Sequence, residues 1–243
     1  MSTSNTLLIG SGRIARHLKH WCNQTNQSNH NNINHNLHQW DRTQPIQLLT
    51  PIIKSVSHIW LAISDQAIIP FYEQHLANKT AAQVVHFSGA MFDARVAGAH
   101  PLMSFPEELL PQGVYSKIFF AIDDSTQSLE QLMPGFANPH FHISAEKKSL
   151  YHALCVASGN FPQLLWSLCL QPFKDIQVPD QAIEIYLKQI TDNFISHKEK
   201  ALTGPLVRND FATIEKNISA LQKNAEASKI VDLYKAFVGV YSK

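Results

Sequence analysis

The sequence predicts an α/β protein in two parts: a parallel-sheet domain over residues 1–144 and an all-α domain over residues 145–243. Two observations carry this. Through the first half, short apolar runs alternate with longer helix-capable stretches, the pattern of βαβ units. From Ala145 onward no alternating or β-branched run remains, and helical periodicity takes over. Both parts have ordinary domain sizes.

Residues 6–9 give a brief buried-strand signal, and residues 13–21 read as a helix. Further strands are expected at 37–40, 58–63, 83–87 and 118–122, with a helix at 66–76. In the second half helices are expected near 145–170, 180–200, 211–223 and 225–241. Gln171-Pro172, Val178-Pro179 and Thr203-Gly204-Pro205 separate them, because proline cannot donate to a helix ladder and glycine tolerates a left-handed backbone. Residues 23–37 are almost all Asn, Gln, His, Ser and Thr and read as a polar loop with too little apolar surface to order itself. A metal site through His30, His35 and His38 is disfavoured, since no Asp, Glu or Cys accompanies them; no metal is expected.

With 243 residues and 44% apolar content the chain can bury a core. Its net charge of +1 gives no field to attract nucleic acid or an anionic membrane. The thirteen histidines are mostly neutral at pH 7. Cys22, Cys155 and Cys169 share no metal-type spacing and cannot all pair, which points to a reducing compartment. The N-terminus lacks the basic start and apolar core of a signal peptide, and no run approaches ~18 uninterrupted apolar residues. The expectation is a soluble, cytoplasmic protein without nucleic-acid or membrane partners.

Gly10-Ser11-Gly12-Arg13-Ile14-Ala15 has the form G-x-G-x-x-A, directly after the first strand and at the start of a helix. Gly10 permits the tight turn, Gly12 lets the backbone approach a pyrophosphate, and Ala15 lets helix and strand pack closely. Free N–H groups and the helix dipole then favour the anion. A Rossmann-like dinucleotide site over residues 10–14 follows. At the end of the second strand, Asp41 would suit the ribose of NAD, whereas Arg42 with Thr43 would clamp the extra phosphate of NADP. NADP is favoured, provided that Asp41 turns away. Asp41 lies about 30 residues beyond the glycines instead of the usual ~20, and the polar segment accounts for the excess.

Ligands in such sheets collect beyond the carboxyl ends of the strands. Ser64 is counted there with the cofactor contacts, and Asp65 reads as a cap of the next helix. Ser88-Gly89 offers a hydroxyl and unhindered backbone to a substrate, and His100, on a loop beside Pro101, is a candidate substrate contact. In the helical half Lys148 and His152 lie four apart on one face. Lys148, partly desolvated, would supply a proton to a developing alkoxide, with His152 beside it. Asn160 and Arg208 are candidate substrate ligands, Arg208 through its planar fork. Asp210 is most simply an N-cap.

Taken in order, the glycine turn, His86-x-Ser88-Gly89, Gly98-Ala99-His100-Pro101-Leu102, Lys148-x-x-Tyr151-His152-Ala153, Ser158-x-Asn160 and Leu202-Thr203-Gly204-Pro205-x-x-Arg208 span nearly the whole chain. They resemble a family of Rossmann-like proteins with a helical C-terminal domain of unknown function, in the larger group related to 6-phosphogluconate dehydrogenase. The resemblance implies an NADP-dependent oxidoreductase, homodimeric through its helical domain. Some members serve as an alternative class of ketopantoate (2-dehydropantoate) reductase in pantothenate biosynthesis. In the wider group a catalytic Lys is followed four residues later by Asn; Lys148 matches the Lys, and His152 stands in place of the Asn. The expected reaction is NADPH-dependent reduction of a small 2-oxo acid. The alternatives are imine reduction, as in the related pyrroline-5-carboxylate reductases, where an ammonium would repel a cationic substrate, and a non-catalytic NADP(H) sensor.

Overall fold

A computed structural model describes residues 2–28, 33–111, 113–124 and 128–241. Contacts group the chain into two compact units, Met1–Val156 and Ala157–Lys243.

The first unit begins with β1 (Ser2–Ile9), α1 (Arg13–Ser28), β2 (Ile33–Trp40), α2 (Leu49–Ile53), β3 (His58–Leu61) and α3 (Asp65–Phe71). It continues with β4 (Gln83–His86), β5 (Ala97–Pro101), β6 (Phe120–Asp123), α4 (Leu129–Leu132), β7 (His140–Ile143) and α5 (Ala145–Cys155). The seven strands form one sheet in the order β2-β1-β3-β4-β5-β6-β7. The first five are parallel, and β6 and β7 run antiparallel to them. The order reverses between β1 and β3, and such a switch point opens a crevice at the carboxyl edge of a sheet.

Both faces of the sheet are covered, which is why its central strands are apolar throughout. On one face, Ala15, Leu18, Trp21 and Cys22 of α1 pack with Trp60, Phe87, Tyr115, Phe120 and Phe136. Burial pushes the Cys22 thiol up to about 12, so it behaves as a small apolar residue. On the other face, Leu7, Ile9, Trp40, Ile59 and Leu61 meet Leu49, Ile53 and Ile68. Asn138, buried ahead of β7, donates its amide to the carbonyls of Tyr115 (2.8 Å) and Ile118 (2.9 Å), fixing the entry to β6.

Three expectations are corrected. Residues 23–37 are not a loop: α1 runs to Ser28 and β2 begins at Ile33, so only residues 29–32, with His30, lie outside the described part. Pairing with β1 satisfies the inward-facing backbone groups of this edge strand, and Asn36 donates to the Asn5 amide oxygen at 3.1 Å, so polar side chains suffice. His100 belongs to strand β5, not to a loop. Strand β7 follows close behind β6 and was not foreseen.

The second unit holds α6 (Phe161–Asp175), α7 (Asp180–His197), α8 (Phe211–Lys223) and α9 (Val231–Tyr241), preceded by a π turn at Val156–Asn160. Its small buried set includes Ile183, Ile214, Ile230 and Val231. Phe161, Leu164, Phe194, Ile195, Phe237 and Val240 are exposed. The helical stretch Ala145–Asp175 is long and apolar enough, by length and composition, to cross a membrane.

Candidate functional site

The glycine turn opens the crevice between β1 and β3. Gly10 adopts φ +124°, which disfavours any side chain, and a Cβ there would overlap the Ala62 carbonyl oxygen. Its N–H donates to the Trp40 carbonyl at 2.9 Å. At Gly12 a Cβ would meet no atom within 4 Å, so backbone and helix N-terminus face open space. The resulting cleft measures about 820 Å³ and is lined by residues 9–14, Trp40, Asp41, Arg42 and Ser64, among others. Backbone donors at the start of the 16-residue α1, an open approach at Gly12 and the guanidinium of Arg42 fit a dinucleotide with its pyrophosphate at the turn.

Of the cofactor candidates, Gly10, Ser11, Gly12, Arg13, Ile14, Arg42 and Ser64 line this cleft. Thr43 does something else: its N–H and hydroxyl donate to Asp41 Oδ1 at 2.9 and 2.6 Å. Those bonds, helped by Ser11 and Arg42, hold the Asp41 carboxyl below its usual range. Asp41 therefore stays ionised in the cleft instead of turning away, and the only hydroxyl proton of Thr43 is already committed.

The second constellation lies along the same carboxyl edge, beyond β4 and β5. Ser88 is buried; its hydroxyl donates to Asp65 at 2.5 Å and accepts from the N–H groups of Ala90 (3.3 Å) and Met91 (3.1 Å). The hydroxyl expected to meet a ligand is thus fully used in tying the β3 and β4 ends together. Asp65 is the first residue of α3 and the acceptor in that tie, not its N-cap. Over the turn, two imidazoles converge: a Cβ on Gly89 would lie 2.9 Å from His152 Cδ2 and 3.0 Å from His100 Nε2. His100 Nδ1 is 2.8 Å from the Tyr151 hydroxyl.

Lys148 is placed differently from the expectation of a partly desolvated amine presented to a ligand. Its side chain is 1% exposed, and its Nζ lies 2.5 Å from Asp123 Oδ1 and donates to the Met91 carbonyl at 2.6 Å. Asp123 also accepts from Gly98 N–H at 2.7 Å. A Cβ on Gly98 would overlap the ammonium and both carboxylate oxygens, so glycine at this point admits the ion pair to the sheet. The pair lies level with Gly98, two residues before the His100 position of β5.

The histidines of this region are held neutral. Burial, with the Lys148 charge adding to it, pulls His86 down to about 3. Burial, then His152 and Lys148, pulls His100 down to about 4, against an opposing pull from Asp65. His86 Nδ1 accepts from Ser88 N–H at 3.1 Å, which places its proton on Nε2. Burial and the neighbouring Cys155 raise the Tyr151 phenol well above its usual value.

Asn160 and Arg208 belong to the second unit, and both are exposed. Asn160 occupies the N-cap position of α6, and Asp210 caps α8 by accepting from Thr213 N–H at 3.1 Å. Among the described residues no cluster of three His, Cys, Asp or Glu side chains is placed to hold a metal. Residue-type reasoning missed Asp123, Tyr151 and the tie from Asp65 to Ser88. A carboxylate closing the apolar run Phe120–Asp123 was the available signal for the first.

Residues 118–239 match the family described as a domain of unknown function, DUF2520. The chain belongs to this family. No curated protein matches the sequence of this chain. Among solved structures, BF3122 from Bacteroides fragilis, provisionally assigned as an NADP oxidoreductase, is 16% identical over 99% of both chains, with a TM-score of 0.75. TM1727 from Thermotoga maritima is 20% identical, covering 98% of this chain and 96% of its own, with a TM-score of 0.65. An imine reductase from Aspergillus terreus, in complex with NADPH4, is 13% identical over 100% of this chain and 93% of its own, with a TM-score of 0.54. At these identities the likeness establishes the fold of this DUF2520 protein.

Two outcomes test the site. Lys148→Met leaves Asp123 buried without its counter-charge and should cost about 3–5 kcal/mol in denaturant unfolding. Adding Asp123→Leu should return most of that loss, and a double variant no more stable than the single one would contradict the ion-pair account. Separately, stability should be flat above pH 6.5 and decline as pH falls through 4 towards 3, because His86 and His100 take up protons only on unfolding. The slope limit is about 1.4 kcal/mol per pH unit for each histidine. Urea midpoints at pH 7, 5.5 and 4.5 read it, and His86→Asn should flatten the curve.

Proposed function

We propose that this DUF2520 protein is an NADPH-dependent reductase of a small 2-oxo acid, with ketopantoate the first substrate to test. The observation that carries the reading is the pairing, along one carboxyl edge of one sheet, of a cleft of about 820 Å³ at the glycine turn and a second turn overhung by two imidazoles. When bound, the reduced nicotinamide would supply hydride to the substrate. Gly10 to Ile14 would hold the pyrophosphate by backbone N–H groups, and Arg42 would meet the ribose phosphate that distinguishes NADP. Asp41, tied to Thr43, is the residue that would instead accept a ribose hydroxyl of NAD.

Ser88 and Asp65 fix the Gly89 turn, and His152 and His100 flank the space above it. Lys148 is proposed here as a positioning residue: with Asp123 it fixes the first turn of α5 against β5 and β6 and so sets where Tyr151 and His152 stand. Arg208 is proposed as a ligand for a substrate carboxylate on its fork geometry, and Asn160 as a hydrogen-bonding partner on its residue type.

A second reading, imine reduction, gains from one observation. Lys148 is buried and ion-paired with Asp123 and the His100 imidazole is neutral, so neither presents an exposed cation that would exclude an iminium. We also propose a cytoplasmic homodimer formed through the helical unit, supported by its exposed apolar side chains, among them Phe161, Phe194 and Val240. A second copy would cover the apolar stretch Ala145–Asp175 as a membrane otherwise would.

NADPH absorbance with ketopantoate and with a cyclic imino acid separates the two reactions. The expected result is oxidation with the 2-oxo acid and rescue of a pantothenate auxotroph that lacks ketopantoate reductase. Tight NADPH binding by calorimetry without turnover of either compound would make the protein a sensor, and no binding heat would remove the dinucleotide reading.

A further inference from the structure

With Lys148 sealed beneath the sheet edge, the proton required at a reduced carbonyl oxygen needs another source near Gly89. We propose that His100 Nε2–H delivers that proton, with the Tyr151 hydroxyl as its reserve behind the ring. The inference rests on the reductase reading above and narrows its substrate class to carbonyl compounds.

Three observations support it. The first is level: His100 lies two residues beyond Gly98 along β5, or about 7 Å nearer the carboxyl edge than the point where Lys148 meets the sheet. The second is contact: Nε2 is the His100 atom nearest the Gly89 turn, 3.0 Å from where a Cβ on that glycine would stand. The third is the tautomer. Tyr151 Oη lies 2.8 Å from Nδ1, and a phenol is a stronger donor to an imidazole nitrogen than an imidazole N–H is to a phenol oxygen. With Tyr151, which also faces Cys155, as the donor to Nδ1, the proton of the neutral ring sits on Nε2.

The groups facing this imidazole are Tyr151, His152, Lys148 and Asp65, with His86 close by. Burial, then His152 and Lys148, keep the ring neutral, so it acts as a hydrogen-bond donor to a developing oxyanion and not as an imidazolium. As hydride and its electron pair add to the carbonyl carbon, the C–O π bond breaks and the oxygen becomes an alkoxide. The alkoxide takes the proton from Nε2 while Nδ1 takes the proton from Tyr151, an alkoxide being a stronger base than a phenolate. Solvent water then reprotonates the phenolate. The carbonyl is reduced by two electrons and the nicotinamide is oxidised by two. Reduction of an iminium ends on a neutral amine and needs no such proton, so the relay has a role only with a carbonyl substrate.

Two-bond proton–nitrogen NMR on histidine-labelled protein without any ligand reads the tautomer directly. At pH 7 His100 should show a protonated Nε2 and an unprotonated Nδ1, and Tyr151→Phe should redistribute the proton towards Nδ1. In NADPH-loaded enzyme the same substitution should lower kcat for a 2-oxo acid about 100-fold, leave the Kd for NADPH unchanged and alter the pH profile of kcat. A wild-type ring protonated on Nδ1, or a Tyr151→Phe enzyme within about threefold of wild-type kcat, overturns the inference. Should Tyr151→Phe unfold, His100→Gln carries the same kinetic test with the same limits. Failure of the reductase reading looks different: wild-type protein then oxidises NADPH with no carbonyl or imine, whatever the tautomer.

Discussion

An ammonium and a carboxylate 2.5 Å apart, both withdrawn from solvent, hold the first unit together at the place where its last helix meets its sheet. Removing two charges from water costs several kcal/mol per ion, and only close geometry with further hydrogen bonds offsets this. Both conditions are met: Met91 C=O accepts from Lys148, and Gly98 N–H donates to Asp123. The contact ties β5, β6 and α5 into one body, so the side chains one turn further along α5, Tyr151 and His152, inherit their positions from it. A lysine whose spacing suggests chemistry is thus buried in an ion pair that joins helix to sheet.

Charge around Gly89 follows from the same contact. Burial, with the Lys148 ammonium adding to it, keeps His86 and His100 neutral. Two neutral imidazoles therefore stand at this end of the sheet edge. At the other end of the edge the sign differs: Asp41, kept ionised by Thr43, and Arg42 both line the cleft.

The glycine turn was legible because each of its positions answers a steric demand within six residues: the positive φ of Gly10 and the open approach at Gly12 are local facts. The alternation of β1, β3 and β4 with helices was legible for the same reason. Strand β5 was not. Ala-Gly-Ala-His-Pro has no β-branched residue, and what makes it a strand is pairing with β4 and β6 together with the ion pair that only Gly98 admits. Residues 23–37 misled in the opposite way, since composition speaks against burial but not against an edge strand whose inward-facing backbone groups are satisfied by β1. Asp123 and Lys148 lie 25 residues apart in sequence, and nothing local announces their contact.

Burial of that amine is the point on which the account turns, and lysine acylation read by mass spectrometry measures it. Lys147 is exposed and Lys148 is 1% exposed on the same helical turn, so each serves as the other's control. In folded protein the account predicts rapid labelling at Lys147 and protection of Lys148 until the chain unfolds. Labelling of both at similar rates under native conditions would contradict it.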